Sequence, residues 1–270
     1  MTQQKQDQKP PQTLHIVHTE ASQGWGGQEI RILTEAKAMQ AQGHQITLLA
    51  PKAAKIHQAA EKLGLTVVTM SYEKRSFKAI FATRRWLKKQ RPDIVNTHSS
   101  IDSWVVAIAA LSLNFMRTVR TRHISAPIKI NGINRWLYRK AAQHIVTTGE
   151  TLRQTIMRDL QIPKEHITSI PTGIDLQRYS RENLPNQRVQ RADLGIADDA
   201  IVLGIVATLR SWKGHDDLLH ALKAVIKTQA NTQLLIVGDG PRREHIEALV
   251  RELNLQNHVH LVGQRDDVEQ

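Results

Sequence analysis

Residues Leu14–Ala50, LHIVHTEASQGWGGQEIRILTEAKAMQAQGHQITLLA, spell a strand, a glycine turn, a helix and a second strand. LHIVHT (Leu14–Thr19) and QITLLA (Gln45–Ala50) are short and apolar on both faces, the pattern of parallel strands covered by helices on each side. Between them Leu33, Ala36 and Met39 fall on one face of a helix over Gln28–Gln42. GWGGQE (Gly24–Glu29) stands where the strand ends and the helix opens. Glycines there let backbone N–H groups approach an anion at the positive end of the helix. The alternative is a glycine-rich turn that binds nothing.

The same alternation continues. TVVTM (Thr66–Met70), DIVNT (Asp93–Thr97), TVRTR (Thr118–Arg122), HIVTT (His144–Thr148) and ITSIP (Ile167–Pro171) read as further strands. Helical spacing fills Ala53–Leu63, Ser76–Gln90, Asp102–Leu113, Gly132–Ala142 and Glu150–Leu160. A polar stretch after PTGID (Pro171–Asp175) interrupts the pattern for roughly 25 residues, long for a loop. It resumes with IVLGIV (Ile201–Val206), QLLIVG (Gln233–Gly238) and HVHLVG (His258–Gly263), separated by helical patterns at His215–Thr228 and Pro241–Leu253. The expected organisation is a disordered polar tail over 1–12, an α/β lobe over 13–172, a linker over 173–199 and a second, partial lobe over 200–270. Ligands of open α/β sheets sit beyond the carboxyl ends of the strands, so two such lobes would face a cleft. Only three strands follow the linker, which leaves a sheet edge uncovered and reads as truncation.

Composition limits the function. The chain has 270 residues and a formal charge of +12, which favours phosphates, nucleic acid or anionic lipid as partners. It has no Cys, so disulfide and thiolate chemistry are excluded. The polar N-terminus holds no apolar signal segment, and the run Trp104–Leu113 is too short to span a bilayer. A cytoplasmic protein, soluble or peripheral on the inner face of the membrane, is expected.

Three motifs carry chemistry. GWGGQE departs from the dinucleotide fingerprint: Glu29 stands at the third glycine, and Pro51 and Lys52 follow the second strand where an acid should meet a ribose. No NAD or other cofactor is therefore expected. ATLRSWKGHDD (Ala207–Asp217) sets Arg210 and Lys213 between a strand and a helix, two cations suited to a diphosphate. It lacks the Ser or Thr of a Walker A loop. A Lys-Gly turn is also a common helix entry. NTHSS (Asn96–Ser100) places His98 at a strand tip, as a cleft group or as a structural histidine; His123 in TRHIS stands at another tip. No two Asp residues are separated by a single residue, so there is no D-x-D metal signature. A sugar transferase without a metal stabilises its leaving diphosphate with cations and helix dipoles.

Taken in order, GWGGQE, DIVNTHSS, RTRHIS, SIPTGID, VATLRSWKGH, LLIVGDGP and VHLVGQRDDV resemble the retaining GT-B glycosyltransferases of family four, or group one. The resemblance runs from Leu14 to the C-terminus. It implies an acceptor-binding first lobe and a second lobe that binds the nucleotide sugar. It matches Gly26 and Gly27 to the turn beside the donor diphosphate, Lys213 to the phosphate lysine and His98 to a cleft His near the transferred sugar. Many members carry an Arg where this chain has Thr208, and Arg210 stands two residues on. The paired glutamates of the family lie beyond residue 270.

The function implied is retaining transfer of a hexosyl unit from a nucleotide-diphosphate sugar to a glycan or lipid-linked acceptor, without metal, in bacterial envelope polysaccharide or lipopolysaccharide synthesis. A GT-B sugar-nucleotide epimerase and an inactive truncated remnant remain alternatives. Nucleic acid is not an expected partner, because no RNA-binding or DNA-binding motif accompanies the charge. A further partner is an anionic membrane: KRSFKAIFATRRWLKKQR (Lys74–Arg91) reads as a helix with Phe77, Ile80, Phe81 and Leu87 on one face and cations elsewhere. An ordinary packed helix with a solvated basic face is the competing reading.

Overall fold

In the computed structural model, which describes residues 12–72, 74–180, 182 and 189–270, ten strands form where the apolar runs predict them. The chain divides into two units, residues 1–173 and 174–270. In the first, β1 (His15–Thr19), β2 (Gln45–Ala50), β3 (Thr66–Thr69), β4 (Ile94–Thr97), β5 (Arg117–Arg122), β6 (His144–Thr147) and β7 (Ile167–Ser169) form one parallel sheet in the order β3-β2-β1-β4-β5-β6-β7. The chain runs outward from β1 to β3, then returns to place β4 on the other side of β1. Thr19 pairs with Leu49 on one side and Thr97 on the other, so the tips of β1 and β4 lie together at the point where strand order reverses. That is where open α/β sheets bind their ligands.

Alternate residues of β1 serve two cores, which is why both of its faces are apolar. Val17 packs with Leu49, Val95 and the buried sides of α3 (Phe77–Gln90) and α4 (Ser100–Ala109). Ile16 packs with Ile46, Leu48 and α1 (Gly27–Ala41) and α2 (Lys55–Lys62). A third cluster joins Ile145 and Ile167 to α6 (Glu150–Leu160) and to α5 (Gly132–Trp136), which runs on into a π-helical turn at Leu137–Ala141. Each fully buried aliphatic side chain contributes about 1.5–3 kcal/mol.

Helix α3 differs from expectation in the face it buries. Ala79, Thr83 and Leu87 face the core, Ile80 is partly buried there, and Tyr72 bonds to Thr83 beneath them. Phe77 and Phe81 are 90% and 69% exposed. At 3.6 residues per turn the four span an arc of roughly 120°, with Ile80 and Leu87 at its core edge and Phe77 and Phe81 at its solvent edge.

The second unit holds a parallel sheet in the order β10-β9-β8, from β8 (Ile201–Val206), β9 (Thr232–Val237) and β10 (Val259–Gly263). Leu219 and Leu222 of α7 (His215–Val225) and Ile246 of α8 (Arg243–Glu252) meet Leu234 and Ile236 in its core. Of the expected linker, residues 181 and 183–188 lie outside the described residues, as do 1–11 of the expected tail. The described remainder of the linker after Gly173 is tied to the second unit. Arg178 donates to the Asp266 carbonyl and pairs with Glu269, and Arg191 donates to the carbonyls of Asp198 and Ala200.

Candidate functional site

Three histidines meet at the strand tips of the first unit. His18 is in β1, His98 follows β4 and His123 follows β5. His18 Nδ1 and His98 Nε2 are hydrogen-bonded at 2.9 Å, and His98 Nδ1 and His123 Nε2 again at 2.9 Å. The first pair of rings is nearly parallel, with centroids 5.2 Å apart. Burial drives all three towards the neutral form. His18 falls to about 4. His98 is held well below its ordinary value by burial first, then by its two histidine neighbours. His123 falls to about 4 through burial, with Arg31 and Arg122 adding to it.

His98 was expected to project from a strand tip, but it is only 4% exposed and both its ring nitrogens are engaged. Its backbone is fixed by Asp102, whose Oδ2 accepts from the His98 N–H at 2.9 Å and from the Thr19 hydroxyl at 2.6 Å. The other oxygen of Asp102 accepts from the Ser99 N–H and hydroxyl, closing a capping box on α4. One buried carboxylate therefore joins the tips of β1 and β4.

His123 is the outward member. It lines a pocket of about 330 Å³ with Ser125, Thr148, Gly149, Glu150 and Thr151, where the N-terminus of α6 opens. Nearby, Glu20 accepts from Gln28 and from the Ser22 N–H, shaping the turn that enters α1. Burial, and then Asp102, pushes the Glu20 carboxyl up to about 8. Arg31, buried in α1, donates to the Ile170 carbonyl and to the Thr172 hydroxyl, tying that helix to the PTGID segment.

Gly26 caps α1 and Gly27 opens it. Gly26 has extended backbone, which any residue adopts, and a Cβ at Gly27 would meet nothing within 4 Å. Packing within the chain does not require glycine at Gly27. In the second unit the opposite holds for Gly238 and Gly240. A Cβ on Gly238 would stand 2.1 Å from the Ala207 oxygen, and one on Gly240 2.7 Å from the Leu209 oxygen. These glycines let residues 207–209 lie against the backbone after β9, which sets the position of the following turn.

That turn carries Arg210 and Lys213, both exposed, with Ser211–Lys213 forming a single 3-10 turn before α7. Gly214, at φ 76°, makes the left-handed step into the helix. The Arg210 guanidinium lies 5.4 Å from the Trp212 ring centre, and among the described residues Lys213 has no ion-pair partner. Asp216 in the first turn of α7 is engaged by Arg242 and His245, which offsets its charge beside the two cations. Each of the two units is thus described with a glycine-containing helix entry at the carboxyl end of its sheet. No group of three or more His, Asp or Glu among the described residues is arranged to hold a metal ion.

Residues 25–178 match the profile of Glycosyltransferase Family 4, and residues 186–270 that of Glycosyl transferases group 1. The chain belongs to glycosyltransferase family 4. Among solved structures, a glycosyltransferase from Rickettsia africae superposes with a TM-score of 0.80 at 19% identity, covering 95% of this chain and 70% of that one. Anabaena HepE in complex with UDP-glucose gives 0.78 at 18% identity over the same shares. The fold of this family-4 chain is therefore of the GT-B type. Among curated relatives, alpha-monoglucosyldiacylglycerol synthase of Acholeplasma laidlawii is 22% identical over 251 residues, 84% of this chain. The chain spans 63% of that relative's length.

The motifs of this family-4 sequence marked His98, His123, the glycine turn, Arg210 and Lys213. They did not mark His18, Asp102, Glu20 or Arg31. Asp102 had a readable signal, the S-x-x-D pattern of Ser99–Asp102 before an apolar run. His18 had none beyond its place in the first strand.

Proposed function

We propose that the protein transfers a hexosyl unit, with retained anomeric configuration, from a nucleotide-diphosphate sugar to a glycan or lipid-linked acceptor, and that the product belongs to bacterial envelope polysaccharide or lipopolysaccharide. The observation that carries this is Gly27, a glycine that the fold does not require at the positive end of α1. The exposed cations at the entry to α7 support it from the second unit. Cleavage of the bond between the anomeric carbon and the diphosphate builds negative charge on the leaving phosphate oxygens. The amides of Gly26 and Gly27 and the side chains of Arg210 and Lys213 stabilise that charge in place of a metal. His98, held through Asp102, belongs to the histidine group that orients the sugar.

The UDP-glucose complex of Anabaena HepE supports a nucleotide sugar as donor, and the monoglucosyldiacylglycerol in the name of the Acholeplasma relative supports a lipid-linked acceptor. An anionic membrane is the surface on which such an acceptor is met. Helix α3 suits it, with Phe77 and Phe81 exposed one turn apart and no acid between Lys74 and Arg91.

Calorimetric titration with UDP and UDP-glucose tests the reading. Both should bind in EDTA as well as in magnesium, and Lys213→Ala should weaken binding roughly 10–100-fold, the scale of one charge-assisted hydrogen bond. Binding that vanishes in EDTA and returns with magnesium contradicts the metal-free reading. Unchanged affinity in the variant makes the turn structural.

A further inference from the structure

We propose that Glu20 is a positioning residue for the donor diphosphate: its two carboxyl oxygens, bonded to Ser22 and Gln28, hold the glycine turn so that the Gly26 and Gly27 amides stay open to the phosphates. This rests on the nucleotide-sugar reading above and adds to it the group that shapes the phosphate turn.

Residues 21–27 join the tip of β1 to α1, and none of their N–H groups donates to a backbone oxygen of the described residues. Side chains therefore fix the turn. Oε1 of Glu20 accepts from the Ser22 N–H at 2.7 Å, and the Ser22 hydroxyl accepts from the Gly24 N–H at 3.0 Å. Oε2 of Glu20 meets the side-chain amide of Gln28, in the first turn of α1, at 2.5 Å. Between these bonds Trp25 packs against the core of α1 and α2. The base of the clamp is rigid. Glu20 is fully buried, and its own N–H donates to the Leu49 carbonyl at 3.0 Å, which continues the pairing of β1 with β2. The turn is thus gripped at both ends, while the Gly26 and Gly27 N–H groups have no partner among the described residues. They are orphan donors of a helix start, and Gly27 is exposed.

A carboxyl that braces a phosphate turn must not repel the ligand. Burial first, then Asp102, pushes Glu20 up to about 8, so it is neutral at pH 7. The neutral acid keeps both bonds. Oε1 accepts from Ser22, and the Oε2 hydroxyl donates to the Gln28 amide oxygen, since the two ends of an amide exchange places by a simple flip. Gln at position 20 makes the same pair of bonds, its carbonyl accepting from Ser22 and its amide nitrogen donating to Gln28. Leu fills similar space and makes neither, leaving the Ser22 N–H and the Gln28 amide without their partner.

The test compares the whole chain with its Glu20→Gln and Glu20→Leu variants at pH 7. Without ligand, amide hydrogen exchange at Ser22 and Gly24 should quicken in Glu20→Leu and keep its wild-type rate in Glu20→Gln. A merely space-filling role for Glu20 would not separate Leu from Gln. Titration with UDP should show affinity falling roughly tenfold in Glu20→Leu, the size of one hydrogen bond, and restored in Glu20→Gln. Uridine, which carries no phosphate, should bind all three proteins alike. Should Glu20→Leu fail to fold, Gln28→Ala removes one arm of the clamp at a half-buried helix position. It should weaken UDP in the same direction and leave uridine unchanged. A Leu variant that binds UDP as tightly as the Gln variant overturns the proposal. So does an equal loss of UDP and uridine, which marks a damaged fold and not a misplaced turn. Wild-type protein that binds uridine no less tightly than UDP counts against the diphosphate reading instead, and the exchange rates, which need no ligand, still decide whether Glu20 holds the turn.

Discussion

A methyl group on Gly27 would meet nothing, while one on Gly238 would land on the carbonyl oxygen of Ala207. Of these two glycines of similar appearance in sequence, Gly238 is required by the chain's own backbone and Gly27 is not; we propose that Gly27 answers to the phosphate that approaches from outside. Gly27→Ala should leave thermal stability unchanged or slightly raised, since Ala is the better helix residue by about 1 kcal/mol. The same change should weaken UDP binding, measured by titration, by roughly tenfold through crowding of the phosphate at the helix end. Gly238→Ala should do the reverse first. With φ at 141° and a contact of 2.1 Å, it should lower stability by several kcal/mol, on the order of the larger single-residue effects, as read by denaturant unfolding. A destabilised Gly27→Ala protein would show that the glycine serves the fold after all.

At the scale of elements, α3 is the one whose exposed face has no obvious use inside its unit. Phe77 and Phe81 share a quadrant with Lys88, and Lys78, Arg85 and Lys89 flank them. Vesicles rich in anionic lipid should bind the protein, less so as salt rises, because exposed charges are screened over about 10 Å at 0.1 M. Phe77→Ser with Phe81→Ser should weaken sedimentation with those vesicles while leaving the helix folded, since neither ring is in the core. Equal binding to neutral vesicles, or no loss in the double variant, returns α3 to an ordinary solvated helix. The strands and helices were legible because each is a local pattern: β1, β4 and β8 follow from short apolar runs. The face of α3 was misread because its four apolar residues span roughly 120° of the helix, and packing on α4 buries one edge of that arc and leaves Phe77 and Phe81 exposed on the other. The histidine unit was illegible for a different reason. His18, His98 and His123 are brought together only by the order β1-β4-β5 and by a register that aligns His18 with Asn96. Neither is a property of any one segment.

For the whole molecule, two separate cores imply two unfolding steps. The apolar clusters of β1 to β7 contain no residue of the second unit, and the cluster around Leu234 contains none of the first. The buried imidazoles make the steps respond differently to acid. His18, His98 and His123, all in the first unit, are lowered by burial, so the unfolded chain takes up protons near pH 6.5 that the folded chain refuses. Where the unfolded state binds more protons, stability falls with falling pH. The contribution of His18 is full above about 6.5 and is lost as pH drops towards 4, on the order of 3 kcal/mol for that ring. Glu20 works in the other direction. Its carboxyl, raised to about 8, stays protonated in the fold while the unfolded chain has already released the proton above about 4.5. That contribution is full below 4.5 and is lost as pH rises through 8. Scanning calorimetry between pH 5 and 9 should therefore show a first-unit transition that is highest near neutrality and falls on both sides. In the second unit burial lowers His215, which stands apart from the three linked imidazoles of the first, so its transition should move less from pH 7 to 5. Glu20→Gln should remove the loss towards pH 9 and steepen the loss towards pH 5, because the opposing proton is gone and the three imidazoles remain. A first transition that is flat from pH 7 to 5, or a Gln variant with an unchanged profile, would mean that water reaches these groups and that the strand tips are not sealed.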